Sequence, residues 1–311
     1  MGFNEFVFYG FIVKAQLQQA LAYLKQFANQ HKRLEGYVSL FEEEQYISYE
    51  VDAYLNALLE RYQRYYREVF FLEKSEQCAG ELLRQRLIDF FDIKNSDCSL
   101  EDMEANHVAT AVRERGFQFL GGRTSGYLGP YIWRTEEIEV FEVVLPEGVQ
   151  TYRVKFLSDF LMTGWLDYLS LGEISAGGWT DKDGIINCVK ETYDLNSENF
   201  IVSLLKHEAQ HAMDLARYKQ MTSEDLEYRA KLVELIYSKE RNLLKVFVHQ
   251  ARNSDVYNGH SLAAHRIVSE FKEKLSLDTE ALLQLPITDI QQIARLIFEE
   301  SHREVEQKYL C

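Results

Sequence analysis

Apolar residues recur three and four positions apart through both ends of the chain, and alternate with polar ones mainly in its middle. The first pattern is that of amphipathic helices and the second that of half-buried strands. Periodic runs over 14–29, 49–72, 78–91 and 100–115 predict helices, and only 3 prolines in 311 residues leave such runs unbroken. From 116 the pattern shortens. Segments 116–120 and 130–133 read as strands around the glycine-rich run 121–126, which lacks the GxxxxGK[ST] order of a phosphate loop. Segments 138–145 and 152–156 flank the turn signal Pro146-Glu147-Gly148, and 177–180 and 185–189 flank Asp183-Gly184. Helical spacing resumes with Phe200, Ile201, Leu204, Leu205, Ala209, Ala212, Met213 and Leu215, behind a cap at Asn196 or Ser197. It continues over 223–311, with a break near Leu285-Pro286. The expectation is an α+β chain, mainly helical, with a small mixed sheet. A helical region over 1–115 would precede a second region over 116–311, comprising a sheet (116–190), one central helix (197–218) and further helices (223–311).

A formal charge of −15 disfavours nucleic acid and anionic membranes as partners. No apolar run reaches the roughly 18 residues of a membrane span. The four cysteines, Cys78, Cys98, Cys188 and Cys311, are scattered, so neither a disulfide framework nor a structural zinc cluster is indicated. Residues 1–13 lack a basic start and a small-residue cleavage site. The expected location is therefore cytoplasmic.

The central helix carries the chemistry. His207-Glu208-Ala209-Gln210-His211 matches HExxH, a pattern that 8 histidines and 49 acids among 311 residues would produce about 0.03 times by chance. Histidines four apart share a helix face and can reach one metal ion, while Glu208, turned about 100° away, stays free to touch a metal-bound water. Two ordinary core histidines would leave the intervening glutamate unexplained.

The motif resembles that of the zincin superfamily of metallopeptidases, over roughly 115–270. Asp214 and Arg217 stand where the metzincin branch has glycine and histidine, so the resemblance is to the gluzincin branch. That branch takes a glutamate from a downstream helix as third zinc ligand. A helix capped by Thr222 or Ser223 offers Glu227, 16 positions after His211, in an ExxA context (Glu227-Tyr228-Arg229-Ala230). Glu224 reads better as an acid complementing the helix start, and Glu234 is a later alternative. Asp214 would either orient a ligand histidine or pair with Arg217.

The resemblance further implies an edge strand before the active helix, here 177–180, with Gly177 and Gly178 allowing a substrate backbone close. It also implies a downstream histidine or tyrosine that steadies an oxyanion, for which His260 comes first, with Tyr257 and His265 behind. His31, His107, His249 and His302 have no ligand spacing and are expected to be structural or solvent-facing. The expected protein is a zinc metallopeptidase acting on peptide or protein substrates, with Zn2+ on His207, His211 and Glu227 and Glu208 as general base. The rival expectation is a non-catalytic zinc-bearing domain that binds or senses peptides, for which Glu208 has no use.

Overall fold

A computed structural model describes residues 2–94, 97–181, 183–218, 220–251 and 259–309. The fold is α+β and mainly helical, with small mixed sheets. It divides into two compact units, Met1–Thr135 with Ser158–Ala176, and Glu136–Leu157 with Gly177–Cys311. The division therefore does not fall at residue 115. The strands expected as one sheet over 116–190 belong to separate sheets in different units.

In the first unit, the run over 49–72 forms the helix Ala53–Tyr66 and the π-wound segment Arg67–Phe71. It starts at Ala53 because the Asp52 carboxylate accepts the Leu55 N–H at 2.7 Å and caps it. The run over 78–91 starts at Glu76, where Ser75 caps Cys78. The 100–115 run is realised as Leu100–Met103, a π-wound Glu104–Val108, and Ala109–Arg113. Among the described residues, three α-helices of this unit lie outside the periodic runs, Glu5–Ile12, His31–Tyr37 and Gly164–Leu169. The first is apolar nearly all round (Phe6, Val7, Phe8, Phe11, Ile12), so no polar face marks its period. The strands Gln118–Leu120, Tyr131–Trp133 and Met162–Thr163 form a three-stranded antiparallel sheet in this unit.

The second unit is built on a four-stranded sheet. Its order is Thr135–Leu145, Gly148–Ser158, Ile186–Val189, Gly178–Thr180. Ile186–Val189 runs parallel to the second strand, with Val154 opposite Ile186, and antiparallel to Gly178–Thr180, with Trp179 opposite Asn187. Gly178–Thr180 is thus the outermost strand on one side. The turn between the last two strands is pinned by Asp181, whose carboxylate accepts the Ile185 N–H at 3.0 Å.

Asn199–Lys206 covers this sheet, wound as a π-helix, and leads directly into the α-helix His207–Arg217. Ser197 is the cap, its hydroxyl accepting the Phe200 N–H at 3.1 Å. The periodicity predicts α-winding here. The wider i→i+5 turn instead brings Phe200, Leu204 and Leu205 toward one side, and all three are buried in the core of the unit. Phe200 fixes the helix on the sheet through ring contacts with Phe156 (6.0 Å), Phe141 (5.9 Å) and Tyr193 (6.0 Å). The helices Ser223–Tyr237, Asn242–Ala251, Gly259–Leu275 and Ile287–Tyr309 complete the unit. Among the described residues, no helix is long and apolar enough to cross a membrane, and Cys78, Cys98 and Cys188 are free thiols. Cys311 lies outside the described residues.

Candidate metal centre

One helical turn separates His207 from His211, and the structure aims both imidazoles at one point, with their Nε2 atoms 2.8 Å apart. Both rings are buried. His207 Nδ1 lies 2.7 Å from Glu234 Oε1. A carboxylate can only accept, so Nδ1 carries the hydrogen and Nε2 is the atom left to face a metal ion.

The third side of the site comes from the helix Ser223–Tyr237, capped by Thr222, whose hydroxyl accepts the Asp225 N–H at 3.2 Å. Glu227 Oε2 stands 3.4 Å from His207 Nε2, and Glu227 Oε1 stands 3.6 Å from His211 Nε2. Glu224 lies in the first turn of this helix, where an acid favours the positive end of the dipole. Glu234 is seven residues beyond Glu227 on the same face, so one helix supplies a carboxylate to each ring nitrogen of His207.

Ligands about 2.0–2.1 Å from a tetrahedral zinc ion stand about 3.3–3.4 Å apart. The two nitrogens stand 2.8 Å apart, and the Glu227 carboxylate meets them through different oxygens, Oε2 at 3.4 Å from His207 and Oε1 at 3.6 Å from His211, so each contact is near that length. Glu227 Oε2 is buried, with His260 Nδ1 2.7 Å away. Burial opposes charge on His207, but its hydrogen bonds to Glu227 and Glu234 outweigh that and raise its pKa to about 10. Burial and the neighbouring His207 push His211 down to about 3. Burial likewise opposes charge on Glu227, yet the imidazoles of His207 and His260 hold its carboxyl well below the usual carboxylate range. The donor set and its spacing fit a zinc ion.

Glu208 also comes close, since it, His207 and His211 can each bring a ligand atom within 4.8 Å of the others. Its carboxylate is tied elsewhere, however. Thr180 on the outermost strand donates its hydroxyl to Glu208 Oε2 at 2.8 Å, and the same hydroxyl lies 3.0 Å from the Glu208 carbonyl oxygen. Burial raises the Glu208 carboxyl, against the lowering influence of His207 and Thr180. Glu227 is consequently the carboxylate better placed to complete the triangle, and Glu208 the one held beside it.

His260 sits at the start of Gly259–Leu275, which approaches the Glu227 helix so closely that a Cβ on Gly259 would come 2.6 Å from Ser223 Oγ. Its ring lies nearly parallel to that of His207, with centroids 6.5 Å apart, and its side chain is 57% exposed. His265, on the same helix, is exposed. Tyr257 and Asn258 lie outside the described residues.

Two expectations are corrected. Asp214 neither orients a ligand histidine nor pairs with Arg217. It is 1% exposed and binds Arg229 Nε through both oxygens at 2.9 and 3.1 Å, while Arg217 pairs with Glu147. Arg229, fully buried, also donates to Glu147 at 2.8 Å and to Ser301 at 3.2 Å. The second correction concerns Gly177 and Gly178, whose lack of a side chain serves packing. A Cβ on Gly177 would collide with the Tyr193 ring, and one on Gly178 would come 2.5 Å from the Asn187 carbonyl oxygen and 2.6 Å from Leu204.

Thr180 has no spacing signal that links it to Glu208, 28 residues away, and only the folded sheet brings it there. Lys231 is buried one turn after Glu227, with its ammonium 4.4 Å from the Phe247 ring centre and 3.3 Å from Gln250 Oε1. Comparison with known proteins returns no match, whether to a family model, a curated protein or a solved structure.

Proposed function

We propose that this chain is a zinc-dependent hydrolase of the HExxH zincin type, most simply a metallopeptidase, with His207, His211 and Glu227 holding the ion. The observation that carries the reading is the buried pair of imidazole nitrogens, 2.8 Å apart, with the Glu227 carboxylate against both, one oxygen 3.4 Å from His207 and the other 3.6 Å from His211. When bound there, zinc supplies Lewis acidity that acidifies a water and polarises a carbonyl.

The remaining work falls to the chain's own residues. Glu208, anchored by Thr180, takes a proton from the attacking water and delivers it to the departing amine. Glu234 fixes the tautomer and orientation of His207. His260, beside Glu227, is the donor for a developing oxyanion. An extended substrate pairs with the strand Gly178–Thr180, whose Thr180 places Glu208 at the same edge.

The test is metal content by elemental analysis with a peptide-library digest, on wild type, His207→Ala and Glu208→Gln. Zinc that is lost in His207→Ala, with cleavage that is lost in Glu208→Gln at retained zinc, supports the proposal. Zinc without cleavage in wild type replaces it by a zinc-bearing peptide-binding domain. Absence of zinc after reconstitution removes it.

A further inference from the structure

A second constellation lies in the first unit and uses none of the residues above. A cavity of about 270 Å3 opens between the segment Val38–Glu42, the residues around Ile47 and Tyr49, and the helix Gly164–Leu169. Leu40, Ile47, Leu161 and Leu171 give it apolar walls, and Asp167, Tyr49 and Tyr168 give it polar ones. Asp167 is half-buried, and its carboxylate accepts a hydrogen bond from Thr163, another lining residue. Among the described residues, Asp167 makes no ion pair. The carboxyl is raised by burial, against the lowering influence of Thr163.

The aromatic side of the cavity is equally under-used. Tyr168 is 5% exposed, and its hydroxyl is buried without a hydrogen-bond partner. A buried polar group left unpaired costs about 1–3 kcal/mol, and a partly buried carboxylate without a counter-charge adds to that cost. One ligand chemistry suits this lining. A positive charge answers Asp167, the negative faces of tyrosine rings attract the same charge, and a short hydrocarbon chain suits the leucine and isoleucine walls. The volume falls just under the common range for ligand sites, about 300–1,000 Å3, so the ligand is small.

We propose that this cavity binds a small organic ammonium ion, a primary or methylated alkylamine, with its charged head on Asp167 and its alkyl part among Leu40, Ile47 and Leu161. The proposal is independent of the metal centre and goes beyond the hydrolase reading.

The experiment is calorimetric titration of the full chain with n-butylammonium and with tetramethylammonium, using n-butanol and butyrate as uncharged and anionic counterparts. Saturable binding of either cation is expected, with neither counterpart competing. Affinity should fall about tenfold or more in Asp167→Asn and vanish in Leu40→Trp, which fills the cavity without altering its charge. Binding should persist in His207→Ala. The proposal is overturned if n-butanol binds as well as n-butylammonium, if neither cation binds, or if Asp167→Asn keeps wild-type affinity. Should circular dichroism show Asp167→Asn unfolded, Leu40→Trp decides, since retained binding in that variant places the ligand elsewhere.

Discussion

Glu234 and Glu227 grip the same imidazole from opposite ends, Glu234 at 2.7 Å from His207 Nδ1 and Glu227 at 3.4 Å from its Nε2. The two carboxylates have different tasks, because only Nε2 faces His211. Removing Glu234 should leave the three proposed metal donors in place and release the ring that one of them depends on. Glu234→Gln is therefore expected to weaken zinc binding about 10–100-fold, as lost carboxylate–histidine partners do. Glu227→Ala should weaken it more. Competition against a chromophoric chelator measures both, and equal affinities for Glu234→Gln and wild type would remove its orienting role.

Thr180 offers a way to separate metal binding from proton transfer. Thr180→Val keeps the strand's shape and β-branching but deletes the hydroxyl that holds Glu208. Zinc affinity should be unchanged, while kcat on any cleaved peptide should fall about tenfold, in line with a misplaced general base. The pH profile of kcat should move as well, because the lost hydrogen bond favoured the ionised form of Glu208. A profile identical to wild type would show that Thr180 serves the strand alone.

Arg229 ties the Glu227 helix to Asp214, Glu147 and Ser301 from a fully buried position. Arg229→Met preserves much of the volume but leaves Asp214, itself 1% exposed, as a buried charge without its counter-charge. The expected loss is about 3–5 kcal/mol of unfolding free energy. Urea denaturation reads it, and a loss below 1 kcal/mol would mean that Asp214 becomes neutral or finds water.

Acid sensitivity in the first unit should centre on Glu68. Burial raises its carboxyl, but Arg86, at 2.6 and 2.9 Å, and Lys74, at 3.1 Å, outweigh that and lower it. A folded-state pKa below the unfolded value of about 4.3 means the stabilisation is present above that pH. It is lost as pH falls through the folded-state pKa. Glu68→Gln should accordingly be less stable than wild type by about 1–3 kcal/mol at pH 7. The gap should close below about pH 4, which denaturant titrations at several pH values would show.

What the sequence made legible follows the range of the interactions. The proximity of His207 and His211 was readable because a four-residue spacing on a helix is itself a distance, whereas Glu227 was reached only through the resemblance of its ExxA context on a helix that starts after Thr222. Thr180 was not, because its place beside Glu208 depends on how the helix His207–Arg217 packs on the strand Gly178–Thr180, which no local pattern encodes. Asp214 was misassigned for a related reason. Its neighbour Arg217 is the local partner, yet a fully desolvated guanidinium 15 residues away supplies the stronger bond. The strands over 116–133 and 135–189 share the same alternation, and only chain topology assigns them to different sheets.

The π-wound segment just before the histidines gives the motif unequal tolerance to editing. A turn of that kind holds a residue more than an α-turn, so Asn199–Lys206 contains slack. One residue removed there can be absorbed by tightening the winding, with both ends left where they are. Within His207–Arg217 there is no such reserve, and a deletion between the histidines would swing one imidazole about 100° off the shared face. Length variation is thus cheap upstream of the site and ruinous inside it.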